Sequence, residues 1–166
     1  HNALIVKHEL ASRGMYETVT WSFADSDLAK YFRKGGEAII LANPIAKELN
    51  EMRPSILPNL LTAVKNNIAR GYTNVSLFEV GPEFYGRNPQ EQVMAASGVR
   101  CGQTSKKDWT HSNRDYDVFD AKSDALAVIA AAKGPFENPQ ITLDAPSYYH
   151  PGRSGTLRLG KNVLAY

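Results

Sequence analysis

The sequence predicts an α+β fold in which a largely antiparallel sheet is flanked by helices. One long stretch, Ser55 to Arg70, carries apolar residues at helical spacing. Several strand-like runs follow it with only short turns between them, which is typical of antiparallel sheets. Two more helix-like segments, Ala3 to Arg13 and a segment that starts at Asp117 or Asp120, can cover that sheet.

The composition is that of one globular domain over residues 1–166. Of its 166 residues, 43% are hydrophobic and 22% charged, enough apolar material for a core. A net charge of +2 is too small to indicate nucleic-acid binding by bulk electrostatics. Cys101 is the single cysteine, which excludes an internal disulfide and suits a reducing cytoplasm. No apolar run approaches membrane-spanning length.

The first predicted helix, Ala3 to Arg13, is followed by Gly14, which is positioned to end it. This helix is more apolar than one buried stripe requires, because Leu4, Ile5 and Leu10 belong to a set that covers more than one face. The excess predicts a second contact, with another protein.

The next segment, Tyr16 to Phe23, alternates like a half-buried strand with Val19, Trp21 and Phe23 on its buried face. Asp25 is a suitable N-cap for a short helix that follows it.

Two adjacent glycines, Gly35 and Gly36, then predict a turn into a strand from Glu37 to Ala42. The long helix starts at Ser55, and Gly71 is positioned to end it. We predict that its apolar stripe faces the sheet. The stripe consists of Ile56, Leu57, Leu60, Leu61, Val64 and Ile68.

The segment after the long helix predicts one arm of a nucleotide-binding hairpin. A strand from Val75 to Val80 ends at Gly81-Pro82, and a second strand starts at Glu83 and reaches Tyr85. Further strands are predicted at 92–100, 141–143, 153–159 and 162–166, and the helix between them ends before Gly134-Pro135.

No metal or nucleotide motif is recognisable in the chain. The histidines His8, His111 and His150 are scattered, with no pair at the i, i+4 spacing of a metal site. The glycines form neither a Walker loop nor a G-x-G-x-x-G turn. Cys101 lacks the context of a nucleophile.

Two stretches resemble signatures of class II aminoacyl-tRNA synthetases. ELASRGMYETVTWSF is similar to the first signature, a helix and strand that build the dimer interface in that family. MRPSILPNLL, followed by LFEVGPEFYGRNPQ, is similar to the stretch that leads into the second signature, where a hairpin arginine binds the α-phosphate of ATP. The resemblance implies the antiparallel sheet flanked by helices of that class.

A closer resemblance covers essentially the whole chain. NPIAKELNEMRPSILPNLLTAVKNNIARG, LFEVGPEFY, VFDAKSDALAVI and YYHPGRSGTLRLGKNVLAY are similar to the synthetase-like core module of bacterial phenylalanyl-tRNA synthetase β subunits. In that family the α subunit holds the active site and this module is not catalytic. The resemblance implies a fragment of a longer β subunit, and the chain's ends within a helix-like and a strand-like run agree with this expectation.

The resemblance also implies the roles of individual residues. Phe84, Tyr85 and Arg87 are degenerate positions of the second signature, and Tyr85 stands where the phosphate-binding arginine is expected. A neutral phenol cannot supply the charged, planar fork of arginine. No catalytic residue, cofactor or metal is therefore expected in this chain. The residues expected at the interface are Leu4, Ile5, Leu10, Tyr16, Val19 and Trp21.

The implied function is that of a scaffold and α-subunit interface within a cytoplasmic α2β2 phenylalanine–tRNA ligase. ATP, magnesium and tRNA are expected for the whole enzyme. Two alternatives stay open from the sequence. An active free-standing class II-type ligase would need the hairpin arginine that Tyr85 replaces. An RNA-binding module would use cations such as Lys65 and Arg70, although cations are also expected near a helix C-terminus.

Overall fold

The computed structural model describes residues 2–105, 109–110, 113–133 and 139–166. The predicted ends of the fourth helix at Gly134-Pro135, and His111, lie outside these ranges. Besides a 3₁₀ turn, Pro89–Glu91, the described elements are α1 Asn2–Ser12, β1 Tyr16–Glu17, β2 Phe23–Ala24, α2 Ser26–Ala29, β3 Glu51–Met52, α3 Leu57–Ala69, β4 Val75–Phe84, β5 Gln92–Cys101, α4 Val118–Ala131, β6 Gln140–Thr142, β7 Thr156–Leu159 and β8 Asn162–Ala165.

The chain forms two compact units. Unit 1 comprises the residues up to Gly14 together with Gln103–Tyr166, and unit 2 is Met15–Gly102. One domain over residues 1–166 stays a prediction, since compactness does not establish which parts fold independently. Among the described residues, no helix is both long and apolar enough to cross a membrane.

Unit 2 is built on a sheet with the strand order β1-β4-β5. Strand β1 pairs with β4 in parallel, whereas β4 and β5 form an antiparallel pair over ten residues each. Helix α3 packs on both β4 and β5. The strands β2 and β3 form a separate antiparallel pair. The core of this unit is the buried cluster of Ile56, Leu60, Val64, Val75 and Leu77.

Unit 1 contains α1 packed against α4 and an antiparallel sheet with the order β6-β7-β8. The Arg13 Nε atom lies 2.7 Å from Asp124 Oδ1 and joins the end of α1 to α4. Asp117 caps α4 by accepting hydrogen bonds from the N–H groups of Phe119 and Asp120. The sequence predicted both helices, and of its two candidates for the start of α4, Asp117 and Asp120, the first is the N-cap.

Surface ion pairs in unit 1 shift two pKa values. The hydrogen bond from the Thr142 hydroxyl, and then the bond from Arg158, hold the pKa of Asp144 below its ordinary value against the effect of burial. The hydrogen bond to Asp120 raises the pKa of Arg114. Both pairs are in their charged forms at neutral pH.

Three predicted strands need correction. Tyr16–Phe23 is not one strand, because only its ends pair as β1 and β2 and the residues between them bond to other partners. The predicted strand 37–42 is reduced to one bridge, between Ile40 and Glu51. The predicted break at Gly81-Pro82 is wrong, because β4 continues through it and stays paired with β5.

The predicted stripe of the long helix is too wide. Ile56, Leu60 and Val64 are buried, but Leu61 and Ile68 are exposed. The sheet covers only one side of α3, so an apolar residue one position outside the contact line remains in solvent. The predicted end is correct, since Gly71 adopts φ = +90°, a conformation that glycine accepts without strain.

Candidate functional site

The site that the second signature predicts lies at the β4–β5 hairpin of unit 2. Along β4, the alternate residues from Val75 to Glu83 are all buried. Val75 and Leu77 contribute to the core with α3. The same strand face continues with Glu79, Gly81 and Glu83, so the core becomes charged toward the end of the hairpin.

Glu79 is paired with Arg53 in the interior. The side chain of Arg53 is 1% exposed, and its Nη1 atom donates to Glu79 Oε1 at 2.6 Å. Its Nε atom donates to the carbonyl of Pro82 at 3.0 Å. A Cβ atom at Gly81 would lie 2.5 Å from Arg53 Nη2. Gly81 is therefore required by the space that the guanidinium occupies, and not by a turn.

Thr20 completes this ion pair. Its hydroxyl donates to Glu79 Oε2 at 2.6 Å and accepts a bond from Arg53 Nη1 at 3.0 Å. The backbone N–H of Thr20 also donates to Glu79 Oε2, at 3.2 Å. Both carboxylate oxygens of Glu79 are thus bonded, as a buried charge requires.

Glu83 and Tyr85 hold the start of α3. The N-cap residue of this helix, Ile56, has no capping side chain, and its backbone N–H donates to Glu83 Oε1 at 3.1 Å. The Tyr85 hydroxyl donates to the other oxygen, Glu83 Oε2, at 2.5 Å. A carboxylate at a helix N-terminus is favoured by the helix dipole. The phenol of Tyr85 therefore orients a helix-capping carboxylate.

A further buried pair lies in the same unit. Arg33 donates to Glu51 Oε1 from Nε at 3.3 Å and from Nη2 at 2.8 Å, and Nη2 also donates to Oε2 at 3.0 Å. The Glu51 side chain is buried. Fork-like pairing of this kind is the strong geometry for arginine and carboxylate. The acidic side chains near the hairpin are thus matched by cations and donors of the unit itself.

A small cavity lies beside the β4–β5 connection and has a volume of about 270 Å³. This is near the lower end of ligand-pocket volumes, about 300–1,000 Å³. Arg87 is an exposed cation there, but two carboxylates, Glu37 and Glu91, share the wall. Glu91 itself accepts bonds from the backbone and side chain of Asn88. This lining does not fit a triphosphate.

The described residues also lack a metal-binding group, since no three His, Cys, Asp or Glu side chains come close enough together to hold an ion. Magnesium is bound in proteins by clustered oxygen ligands.

The residues predicted for the interface differ in their accessibility. Leu4, Tyr16, Val19 and Trp21 are exposed, whereas Ile5 is half-buried. Leu10 is 2% exposed and is one of the two buried residues of α1, so the accessible surface expected of an interface residue is not found at this position.

The three predicted signature positions lie at the end of the hairpin. Phe84 is the last residue of β4, and its N–H donates to the carbonyl of Arg53 at 3.1 Å. Tyr85 and Arg87 lie in the connection between the strands, so the predicted second strand from Glu83 to Tyr85 is replaced by the end of β4.

Sequence reasoning missed the polar network of the site, which consists of the buried Arg53, Glu79 and Glu83 and the half-buried Thr20 and Asn59. A signal for them was present. Glu79 and Glu83 share the register of Val75 and Leu77 on β4, which is the buried face. An acid in that register requires a buried cation or donor, and this requirement predicts a partner even though it does not identify it.

Comparisons with known sequences identify the family of the chain. The family model described as "Phenylalanyl tRNA synthetase beta chain CLM domain" matches residues 3–166. The phenylalanine–tRNA ligase beta subunit of Rhodospirillum rubrum is 51% identical over 98% of this chain. That of Paramagnetospirillum magneticum is 45% identical over 97% of it. The chain spans 20% of the length of each of these relatives.

Solved structures with low sequence identity share the fold. A pyrrolysyl-tRNA synthetase from Desulfitobacterium hafniense matches 97% of this chain and 56% of its own, with a TM-score of 0.62 at 14% identity. A histidine–tRNA ligase subunit from Alicyclobacillus acidocaldarius matches 80% of this chain and 37% of its own, with a TM-score of 0.53 at 14% identity. The predicted class II synthetase-like fold is confirmed. The chain belongs to the family of the phenylalanyl tRNA synthetase beta chain CLM domain.

Proposed function

We propose that this chain is the non-catalytic synthetase-like core of a phenylalanine–tRNA ligase β subunit. In this role it is a scaffold and an interface to the α subunit, and it does not form the aminoacyl-adenylate itself. The assembled enzyme would be a cytoplasmic α2β2 heterotetramer that uses ATP, magnesium, phenylalanine and tRNA. Membership of the β-chain family supports the proposal, since a β subunit implies an α partner.

The observation that supports the non-catalytic role is the hydrogen bond that Tyr85 makes to Glu83. Where the class requires a cation for the α-phosphate, the Tyr85 hydroxyl bonds to the carboxylate of Glu83. That carboxylate in turn holds the N-terminus of α3 through Ile56. The position is thus occupied by a part of the fold, and a phosphate there would approach a buried negative charge.

We expect the purified chain to show no phenylalanine-dependent ATP–pyrophosphate exchange above a blank. We expect the same of Tyr85→Arg, because one added cation does not position the metal, the nucleotide and the nucleophile together. An assembled enzyme that contains an α subunit is the positive control. Exchange by the isolated chain that is abolished by substitutions in the hairpin would show that the module is catalytic.

The partner surface is proposed to include the exposed apolar residues of unit 2, Tyr16, Val19 and Trp21. Leu4, which is exposed, and the half-buried Ile5 are proposed as a separate contact on α1 of unit 1. Exposed tyrosine and tryptophan are enriched among the residues that dominate binding energy in protein interfaces. Their presence outside the core supports a contact with another protein.

Val19→Asp is expected to weaken binding of the α subunit by about tenfold or more, because the new charge would be buried without a partner. The side chain of Val19 is 89% exposed, so the chain itself should stay folded. Leu143→Asp is a matched control, since Leu143 is 87% exposed and lies outside the proposed surface. Calorimetric titration measures the affinity and circular dichroism the fold. Equal losses for the two variants would place the interface elsewhere.

A further inference from the structure

In the segment Thr18 to Phe23, the two threonine side chains bond to strand β4, Val19 and Trp21 are exposed, and Phe23 is half-buried. Thr18 donates to the carbonyl of Phe78 through its N–H, at 2.8 Å, and through its hydroxyl, at 3.1 Å. Val19, which lies between the two threonines, is 89% exposed, and Trp21, which follows the second, is 62% exposed. This is the reverse of the pattern that hydrophobic burial produces in a strand over a core.

The backbone of this segment is held by side chains that belong to other elements. Asn59, in the first turn of α3, donates from Nδ2 to the carbonyl oxygens of Trp21, at 2.8 Å, and of Phe23, at 3.2 Å. The same nitrogen lies 3.2 Å from the Thr20 hydroxyl oxygen. The Thr20 hydroxyl is itself bonded to Glu79. A single carboxamide therefore joins three points of the segment to a helix that is anchored in the core.

The indole of Trp21 is further ordered by a ring contact. Its ring centroid lies 6.4 Å from that of Phe23, with an interplanar angle of 15°. The side chain therefore has a defined position although most of it is exposed to solvent. An exposed aromatic that is ordered before binding loses less conformational freedom on association than a mobile one.

We propose that Asn59 and Thr20 are positioning residues that pre-order Val19 and Trp21 for the partner subunit. This inference rests on the proposed function and specifies how the surface is built. The occupant is a protein, the α subunit of the proposed enzyme. The stretch TVTWSF carries no charge, and a nucleic-acid partner would require cations for its phosphates.

The chemistry of the two residues explains the choice of side chains. The carboxamide of Asn59 supplies two N–H donors, which match the carbonyl oxygens of Trp21 and Phe23. Aspartate at this position would present only acceptors to those carbonyls. Thr20 contributes both a donor to Glu79 and an acceptor for Arg53 and Asn59, a combination that valine of the same shape lacks.

The test uses the fluorescence of Trp21 in the whole 166-residue chain. The sequence contains 2 tryptophans, and Trp109→Phe leaves Trp21 as the single reporter. In this background we compare Asn59→Ala with Asn67→Ala. Asn67 is a matched control on the same helix, because its Nδ2 atom donates to the local carbonyl of Ala63 and not to the segment.

We expect Asn59→Ala to increase the fast local component of the Trp21 anisotropy decay about twofold and to weaken α-subunit binding about tenfold. Asn67→Ala should change neither quantity. Thr20→Val should resemble Asn59→Ala, and Thr20→Ser, which keeps the hydroxyl, should restore the ordered decay. An ordered anisotropy decay in Thr20→Ser would show that the hydroxyl positions Trp21, and that the effect of Thr20→Val is not a general loss of stability.

Each outcome decides the inference. Equal anisotropy decays for Asn59→Ala and Asn67→Ala would overturn it, whatever the binding result. Increased Trp21 motion with unchanged α affinity would overturn the link between ordering and partner binding. If the parent chain does not bind the α subunit at all, the proposed function fails, and the anisotropy comparison still decides whether Asn59 orders the segment.

Discussion

Arg53→Met should destabilise the chain by about 3–5 kcal/mol, the usual cost of removing one partner of a buried ion pair. Glu79 would keep its bonds from Thr20 but would lose the cation at 2.6 Å while remaining in the interior. Urea denaturation followed by circular dichroism measures the free energy of unfolding. We also expect that adding Glu79→Leu to Arg53→Met recovers a large part of this loss, because it removes the uncompensated charge.

Arg158→Met is the matched control for this experiment. Arg158 pairs with Asp144 at the surface of unit 1, where more than half of the Asp144 side chain is exposed. Exposed ion pairs contribute about 0–1 kcal/mol, so this variant should lose far less stability than Arg53→Met. Similar losses for the two variants would mean that Arg53 does not carry a buried charge network.

Leu60→Ala should cost about 2–5 kcal/mol, because it leaves a cavity where a fully buried side chain fills the space between α3 and the sheet. Leu60 is 0% exposed and belongs to the cluster with Ile56, Val64, Val75 and Leu77. The change is neutral or slightly favourable for helix propensity. The loss therefore reports packing alone.

Leu61→Ala provides the control, with the same chemical change at the next position of the same helix. Its side chain is 42% exposed, so we expect a loss below about 1 kcal/mol. Asn66→Ala, at another exposed position of α3, should behave similarly. If Leu60 and Leu61 gave equal losses in urea denaturation, the assignment of the buried face of α3 would be wrong.

The β4–β5 hairpin shows which features local sequence patterns can predict and which they cannot. The strand β5 was predicted nearly to its bounds, and the interval from Val75 was recognised as strand. The predicted interruption at Gly81-Pro82 was wrong. A glycine–proline pair usually marks a turn, but here the glycine leaves room for the guanidinium of Arg53. The reason for Gly81 lies in a residue that is distant along the chain, and no local rule contains it.

The segment Tyr16 to Phe23 shows a second limit of local sequence patterns. The alternation of Val19, Trp21 and Phe23 predicts a buried face, since burial is the common cause of that pattern. The alternation is real, but Val19 and Trp21 point outward because Thr18 and Thr20 bond to Phe78 and Glu79. The pattern shows that two faces differ, and it does not show which of them meets the core.

From residue order alone, the family, the α+β class, the four helices and the glycine that ends the long helix could all be inferred. These properties depend on spacing and residue type over short stretches. Folding in three dimensions settled which partners the buried charges have and which apolar residues remain outside. Arg53 and Glu79 are 26 residues apart in the chain and meet only when α3 lies on β4. Such pairing depends on distance in space, because a charge inside the protein must be compensated by whichever group the fold brings next to it.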